Sequence, residues 1–374
     1  MRIGINLFDL VLGEGRGGGG ETYGTRLVEQ LARIDHVNRY VLFVDSGAAA
    51  VFGNLNPNFE QFVVPLDSRK KWTRAVWEQL LLPRAARRLK LDVLHSPFNT
   101  GPVFCPCRLV VTIHDLVNFF YRENFPGSDT FKMKYQRYVL RQVVRRCARV
   151  IAVSHFTRQQ IEQRLPVDAR KMVVIYEAAV GESRPADENK VVREDFLLTV
   201  TSDSLHKNLP MLIRGFARIE SRAVRLVILG MIRETSTPQR VGRRDLIRIA
   251  EEQGVANAVE MRGYVTGEEL EQLYRRARCL VVPSLYEGFG LPVLEAMRQG
   301  LPVLCARAGS LPEIGGNCAW YFDPQDEADI AAKISQALAE PGLLTQLASK
   351  GLDHARQFSW EKVARETLAV YEQA

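Results

Sequence analysis

Glu287 and Glu295 bracket the stretch of this chain best equipped for chemistry, Ser284-Leu-Tyr-Glu287-Gly288-Phe289-Gly290-Leu291-Pro292-Val-Leu-Glu295. The apolar run Leu280 to Pro283 before it reads as a buried strand. The turn therefore sits at a strand's carboxyl end, where open α/β sheets bind ligands. Gly288 and Gly290 let backbone approach a ligand closely. Pro292 is pre-set for a first helical turn, and the amides and dipole of a helix start favour an anion such as phosphate. That phosphate repels a carboxylate, so Glu287 and Glu295 are suited to accept hydrogen bonds from hydroxyls. Phosphate beside hydroxyls describes a nucleotide sugar.

Three other segments carry candidate groups. Thr112-Ile-His114-Asp115-Leu116 ends a buried strand, and a histidine there can hydrogen-bond a bound sugar, with Asp115 orienting the loop. His95, also at a strand end, is the weaker candidate. Thr201-Ser-Asp-Ser-Leu-His206-Lys207-Asn208-Leu-Pro210 places Lys207 near a helix start, a good position for a diphosphate ligand. His206 adds charge there only when protonated. Gly13 to Thr22 follows the first strand, and seven glycines between 13 and 24 imply a loop that orders on ligand binding. Its spacing is not a dinucleotide fingerprint, because no acidic partner follows a second strand at the expected place. No Asp-x-Asp and no His/Asp cluster with metal spacing occurs, so metal-independent chemistry is expected, with no cofactor.

With its Glu-x7-Glu signature at Glu287 and Glu295, the chain resembles the retaining glycosyltransferases of family 4 over nearly its whole length. The resemblance implies a GT-B architecture of the α/β class: two Rossmann-like domains with parallel sheets facing a cleft, and a last helix crossing back to the first domain. It implies Glu287 and the amides at Gly288, Phe289, Gly290 and Leu291 on the donor sugar, with Glu295 on the ribose hydroxyls and Lys207 on the diphosphate. It further implies His114 near the reacting centre, Gly19 and Gly20 beside the donor phosphate, and Tyr264 packed on the nucleobase. Glu313 matches another family position. The family usually has an arginine five or six residues before the lysine, where this chain has Ser202 and Thr201. The variants His-Asp-Leu and Lys-Asn-Leu look most like the mannosyl- and rhamnosyltransferase branch. GDP-mannose is the first expectation for the donor, and a glycan or lipid-linked molecule for the acceptor. Rival readings are an epimerase or phosphorylase on the same fold, or a nucleic-acid-binding protein using the basic first half. A cofactor lysine for the former and base-reading motifs for the latter are not found, so no nucleic-acid partner is expected.

These groups need a scaffold of strands alternating with helices, and 374 residues is the length of two such domains. Strands are predicted at 2–8, 40–44, 62–64, 93–95, 109–113, 150–153 and 172–175, then at 196–201, 225–229, 259–262, 280–283 and 303–305. The polar stretch after Gly181 reads as a linker. The domains are then 1–180 for the acceptor, a linker at 181–195, 196–357 for the nucleotide sugar, and a crossover helix at 358–374. Ser154 reads as a helix cap, and Thr266-x-x-Glu269 as a capping box opening a helix to Arg278.

Apolar residues make up 46% and charged residues 25%, ordinary for a soluble enzyme, and no apolar run approaches a membrane span. The start runs directly into a strand, so no signal peptide is expected. Six cysteines without zinc-like spacing suggest a reducing cytoplasm, with Cys105 and Cys107 as two loop thiols. Residues 1–180 hold 26 Lys+Arg against 16 Asp+Glu, whereas residues 181–374 hold 24 against 27. Such asymmetry points to a polyanionic partner. Lys134, Arg137, Arg141, Arg145 and Arg149 recur at three- and four-residue steps, and a second cluster spans Arg69 to Lys90 with Trp72 and Trp77 interleaved. Reversible peripheral contact of the first domain with an anionic membrane is the expectation.

Overall fold

A computed structural model describes residues 1–8, 10, 19–68, 71–125, 127–181, 193–220 and 223–374. The glycine-rich residues 13–18, most of the linker, and Arg69 and Lys70 of the second basic cluster lie outside the described residues. Two compact units form. One contains Met1–Phe119, Asp129–Ala178 and Ser359–Ala374; the other contains Phe120–Ser128 and Ala179–Phe358. The short segment at 120–128 thus groups with the second unit, which a linear division of the chain does not convey.

The first unit is built on seven strands: β1 (Arg2–Asn6), β2 (Arg39–Val44), β3 (Phe59–Val63), β4 (Val93–Ser96), β5 (Arg108–Ile113), β6 (Arg149–Ala152) and β7 (Met172–Val174). Their order is 3-2-1-4-5-6-7, with every pairing parallel. The second unit holds β8 (Phe196–Ser202), β9 (Arg225–Met231), β10 (Val259–Arg262), β11 (Cys279–Val282), β12 (Val303–Ala306) and β13 (Ala319–Phe322), in the order 10-9-8-11-12-13 and again all parallel. β11 and β12 are buried on both faces, which is why they read as continuous apolar runs. Strand order reverses between β8 and β11, so the loops following these two strands diverge and leave a crevice at their carboxyl ends.

The helix starts follow local chemistry. Ser154 accepts from the Thr157 amide, and Thr266 with Glu269 forms the reciprocal capping box of the Gly267–Arg276 helix. That helix stops at Arg276, two residues short of the expected end, because β11 begins at Cys279. The strand β13 has no counterpart in the sequence reading: Ala-Trp-Tyr-Phe is short and follows directly on a helical turn. Gly19 and Gly20 open the Gly19–Ile34 helix and are not part of a preceding loop. The last helix, Trp360–Gln373, packs on Gly19–Ile34 within the first unit.

The basic stripe also differs from expectation. Arg137 is buried, bonding to Asp129 and to the Asn118 carbonyl, and Arg149 begins β6. The solvent face of the Phe131–Arg146 helix instead carries Phe131, Lys134, Tyr135, Tyr138 and Arg145. Met133, Leu140, Val143 and Val144 fill its inner face, which fixes this rotation.

Candidate active site

The candidate polar groups of the second unit meet at its switch point. β8 leads through a single turn, Leu205–Lys207, into the Leu209–Ala217 helix, with Asn208 in the left-handed region between them. β11 leads through Ser284 to Gly290 into the Leu291–Arg298 helix. Gly290 caps that helix at a φ of 104°, a conformation open to glycine, and Pro292 occupies its first turn. These two loops bring Lys207 Nζ to 2.6 Å from Glu287 Oε1, with the two side chains 20% and 13% exposed. Burial pushes the Glu287 carboxyl up, but the Lys207 charge and hydrogen bond outweigh it, leaving the group below the ordinary carboxylate range.

The turn itself is held from the next loop. Ser310 donates from its amide and its hydroxyl to the Glu287 carbonyl, both at 3.1 Å, and from its hydroxyl to the Phe289 carbonyl at 2.7 Å. Gly309, at a φ of 61°, lies so close that a Cβ would meet the Glu287 backbone at 2.7 Å. Gly309-Ser310 before Leu-Pro was a visible turn signal in the sequence, but its hold on the Glu287 turn was not. Glu313 sits in the short helix that follows.

Glu295 projects from the Leu291–Arg298 helix and accepts from the Tyr274 hydroxyl at 2.8 Å. Burial holds its carboxyl above the ordinary value. His206 is neutral, because burial pushes its ring down to about 3 with the Lys207 charge adding to the effect. The Tyr121 hydroxyl donates to the Gln239 carbonyl at 3.0 Å, so His206 Nδ1, at 3.1 Å, donates to the tyrosine oxygen. Tyr264 follows β10 and is exposed. Near Thr201 and Ser202, Arg233 and Arg240 both pair with the buried Asp203.

In the first unit, His114 stands at the end of β5. Its Nδ1 lies 2.5 Å from Glu177 Oε1, and its Nε2 lies 2.7 Å from the Pro97 carbonyl. Both ring nitrogens are therefore engaged by protein acceptors. Its backbone amide donates to Asn99 Oδ1, and Val117 donates to Asp115. His95 is a core residue: fully buried, it bonds to the Tyr371 hydroxyl and to Thr112 Oγ1. Glu177 was not anticipated, since nothing in Tyr176-Glu177-Ala178 marks it apart from an acid near a strand end. Among the described residues no three His, Cys, Asp or Glu side chains are grouped as a metal would require, and no helix is long and apolar enough to cross a membrane.

A cavity of about 720 Å³ opens in the first unit beyond the ends of β4 and β5. Trp72, Phe98, Phe131 and Tyr135 supply aromatic wall, with Glu78 and Asn99 among the polar groups.

Comparison with known proteins agrees with this architecture. A family model described as Glycosyltransferase Family 4 matches residues 17–178, and one described as Glycosyl transferases group 1 matches residues 182–354. O-antigen chain mannosyltransferase B of Escherichia coli is 30% identical over 312 residues, 78% of each chain. Serotype-specific mannosyltransferase WbdA of Escherichia coli is 26% identical over 271 residues, 69% of this chain but 32% of that longer protein. Among solved structures, Anabaena HepE in complex with UDP superposes with a TM-score of 0.74 at 18% identity, covering 100% of both chains. The chain belongs to the family 4 glycosyltransferases and has their GT-B fold of two Rossmann-like domains.

Proposed function

We propose that the chain is a retaining, metal-independent mannosyltransferase that moves mannose from GDP-mannose to a hydroxyl of a glycan or lipid-linked acceptor. The observation that carries this reading is the Lys207–Glu287 pair at the switch point of the second sheet, at the head of the Leu291–Arg298 helix. The donor diphosphate draws Lys207 away from Glu287 and lies against the helix start, and the released carboxylate accepts hydroxyls of the sugar. Glu295 takes the ribose hydroxyls, Tyr264 lies by the base and His114 contacts the sugar. Lys207 and the helix amides carry the leaving-group charge, which leaves no step that needs a divalent ion. A leaving-group oxygen accepts the acceptor's proton as the acceptor approaches the same face. The choice of mannose rests on the names of the two Escherichia coli relatives.

GDP-mannose at a hundredfold its dissociation constant is expected to stabilise the protein by about 2.7 kcal/mol, read as a raised melting temperature, with UDP-, ADP- and dTDP-sugars giving less. Transfer should persist in excess chelator and give a product with the donor's anomeric configuration. If no nucleotide sugar raises the melting temperature, the donor reading is wrong. Activity abolished by chelator and restored by magnesium or manganese would overturn the metal-free one.

The acceptor reading is supported by the aromatic-walled cavity of the first unit, which lies in the volume range of small-molecule sites. A lipid-linked acceptor fits the neighbouring surface, where Phe131 is 85% and Tyr138 61% exposed beside Lys134 and Arg145. Aromatic rings flanked by cations suit the interface of an anionic bilayer, here the cytoplasmic face, and each nearby cation contributes about 1 kcal/mol. Sedimentation with anionic vesicles at low salt should bring the protein down, and Phe131→Ser with Tyr138→Ser should release it. Binding indifferent to lipid charge, or none at low salt, would leave a soluble acceptor as the better reading.

A further inference from the structure

His114 is held by three strand ends at once. Its ring follows β5, Glu177 lies just beyond β7, and the Pro97 carbonyl follows β4. From the Gly19–Ile34 helix, Tyr23 sets its ring edge-on against the imidazole, with centroids 4.8 Å apart. Behind it runs a buried chain of hydrogen bonds: Tyr23 to Thr112 at 3.2 Å, Thr112 to His95 at 2.8 Å, and His95 to Tyr371 of the last helix at 2.7 Å. The side chain of Glu177 is 4% exposed and that of His114 is 16% exposed.

The proton count at this ring follows from its partners. A peptide carbonyl only accepts, so Nε2 carries a hydrogen. A buried carboxylate facing Nδ1 is stable only if it too receives one. With the pair's hydrogen carried by the ring, both nitrogens donate and the ring is an imidazolium, the state that the charges around it favour. A neutral imidazole would turn a lone pair towards the carboxylate.

We propose that Glu177 is a positioning residue for the transfer reaction, which fixes His114 in one ring orientation and keeps it protonated, so that it serves as a fixed cation and not as a proton acceptor. The inference rests on the reading of His114 as a residue that contacts the sugar. A ring with both donors engaged cannot take a proton from the acceptor hydroxyl, which is consistent with a base supplied by the leaving group. What the ring offers is orientation and charge, set by a carboxylate 63 residues away in the chain.

The groups facing the ring agree on the sign. Burial alone lowers its affinity for a proton, but the hydrogen bond and charge of Glu177, the Pro97 carbonyl and the Asp115 charge outweigh this, leaving it above the ordinary histidine value. On the β4 side the facing titratable group is His95, which burial pushes down to about 3, with the charge on His114 as the second cause. On the helix side it is Tyr23, whose hydroxyl burial pushes up, so it stays neutral.

Glu177→Gln separates charge from shape. Glutamine still reaches Nδ1, but its amide can donate to a neutral ring, so the cation is no longer required. The alkaline limb of kcat is expected to move down by at least about one pH unit, a tenfold loss at a fixed pH on that limb. Turnover should recover towards pH 6, and the donor KM should change by less than about threefold. Glu177→Ala should lose turnover at every pH, because orientation goes as well. Ring nitrogen-15 shifts of His114 give a readout independent of activity: imidazolium at pH 7.5 in the native protein, neutral in Glu177→Gln.

A neutral native ring at pH 7.5, or superimposable pH profiles for native protein and Glu177→Gln, would overturn the proposal. An imidazolium ring combined with full activity of His114→Ala would instead overturn the sugar-contact reading, and with it any use of the pair in transfer. If Glu177→Ala fails to fold, Glu177→Gln and the ring shifts still decide.

Discussion

Glu287→Ala is expected to lower turnover about a hundredfold, the effect usual for removing one well-placed polar group from a transition state. It should also destabilise the second unit by about 3 kcal/mol, because the largely buried Lys207 side chain would lose its ion-pair partner. Lys207→Met should raise the donor KM by removing the charge on the diphosphate. The double variant should be more stable than Glu287→Ala while remaining inactive, with a coupling energy of about 1–3 kcal/mol between the two positions. Urea denaturation and initial rates on the four proteins of this cycle make the measurement. Strictly additive stabilities would mean the pair is not coupled, and near-native turnover of Glu287→Ala would remove it from the reaction. Glu295→Gln provides the contrast. Its amide oxygen still accepts from Tyr274, so the fold should hold while donor binding weakens.

Acidification is expected to undermine both units through two buried, neutral histidines. His95 in the first unit and His206 in the second are each pushed down to about 3 by burial. Unfolded, each titrates near 6.5. Below that value the unfolded chain binds protons that the folded chain refuses, so stability is complete above about pH 6.5 and falls as pH drops towards 3. The slope is about 1.4 kcal/mol per pH unit for each histidine. Two pH units below 6.5 therefore remove about 3 kcal/mol from each unit. His114 has the opposite sign: its folded value is raised, so its contribution is present below pH 6.5 and fades as pH rises through that raised value. Urea midpoints at pH 7, 5.5 and 4.5 test the claim, and His95→Gln should flatten the decline of the first unit alone. An equally steep decline in that variant would show that His95 is not its source.

What the sequence determined by itself was everything set by neighbours along the chain. Thr266 and Glu269 cap a helix because three residues of separation place each side chain over the other's amide. Pro292 after Gly290 starts the Leu291–Arg298 helix by the same local logic. Runs such as Cys279–Val282 reveal themselves as strands because both faces are buried. Twelve of the thirteen strands were visible in the sequence, and β13 was hidden by its four residues and the turn before it. The Glu-x7-Glu segment was legible because both carboxylates sit on one turn and one helix.

Tertiary structure decided which of these groups meet. Lys207 and Glu287 are 80 residues apart, and they pair because β8 and β11 are neighbours in the sheet. His114 and Glu177 meet across β6, a relation fixed by strand order and invisible to any spacing rule. Rotation of the Phe131–Arg146 helix buried Arg137 and turned Phe131 and Tyr138 outward, because Leu140, Val143 and Val144 claimed the inner face. Periodicity tells a chain which side of an element is apolar; only the packing of elements against one another sets which charges are left to face each other.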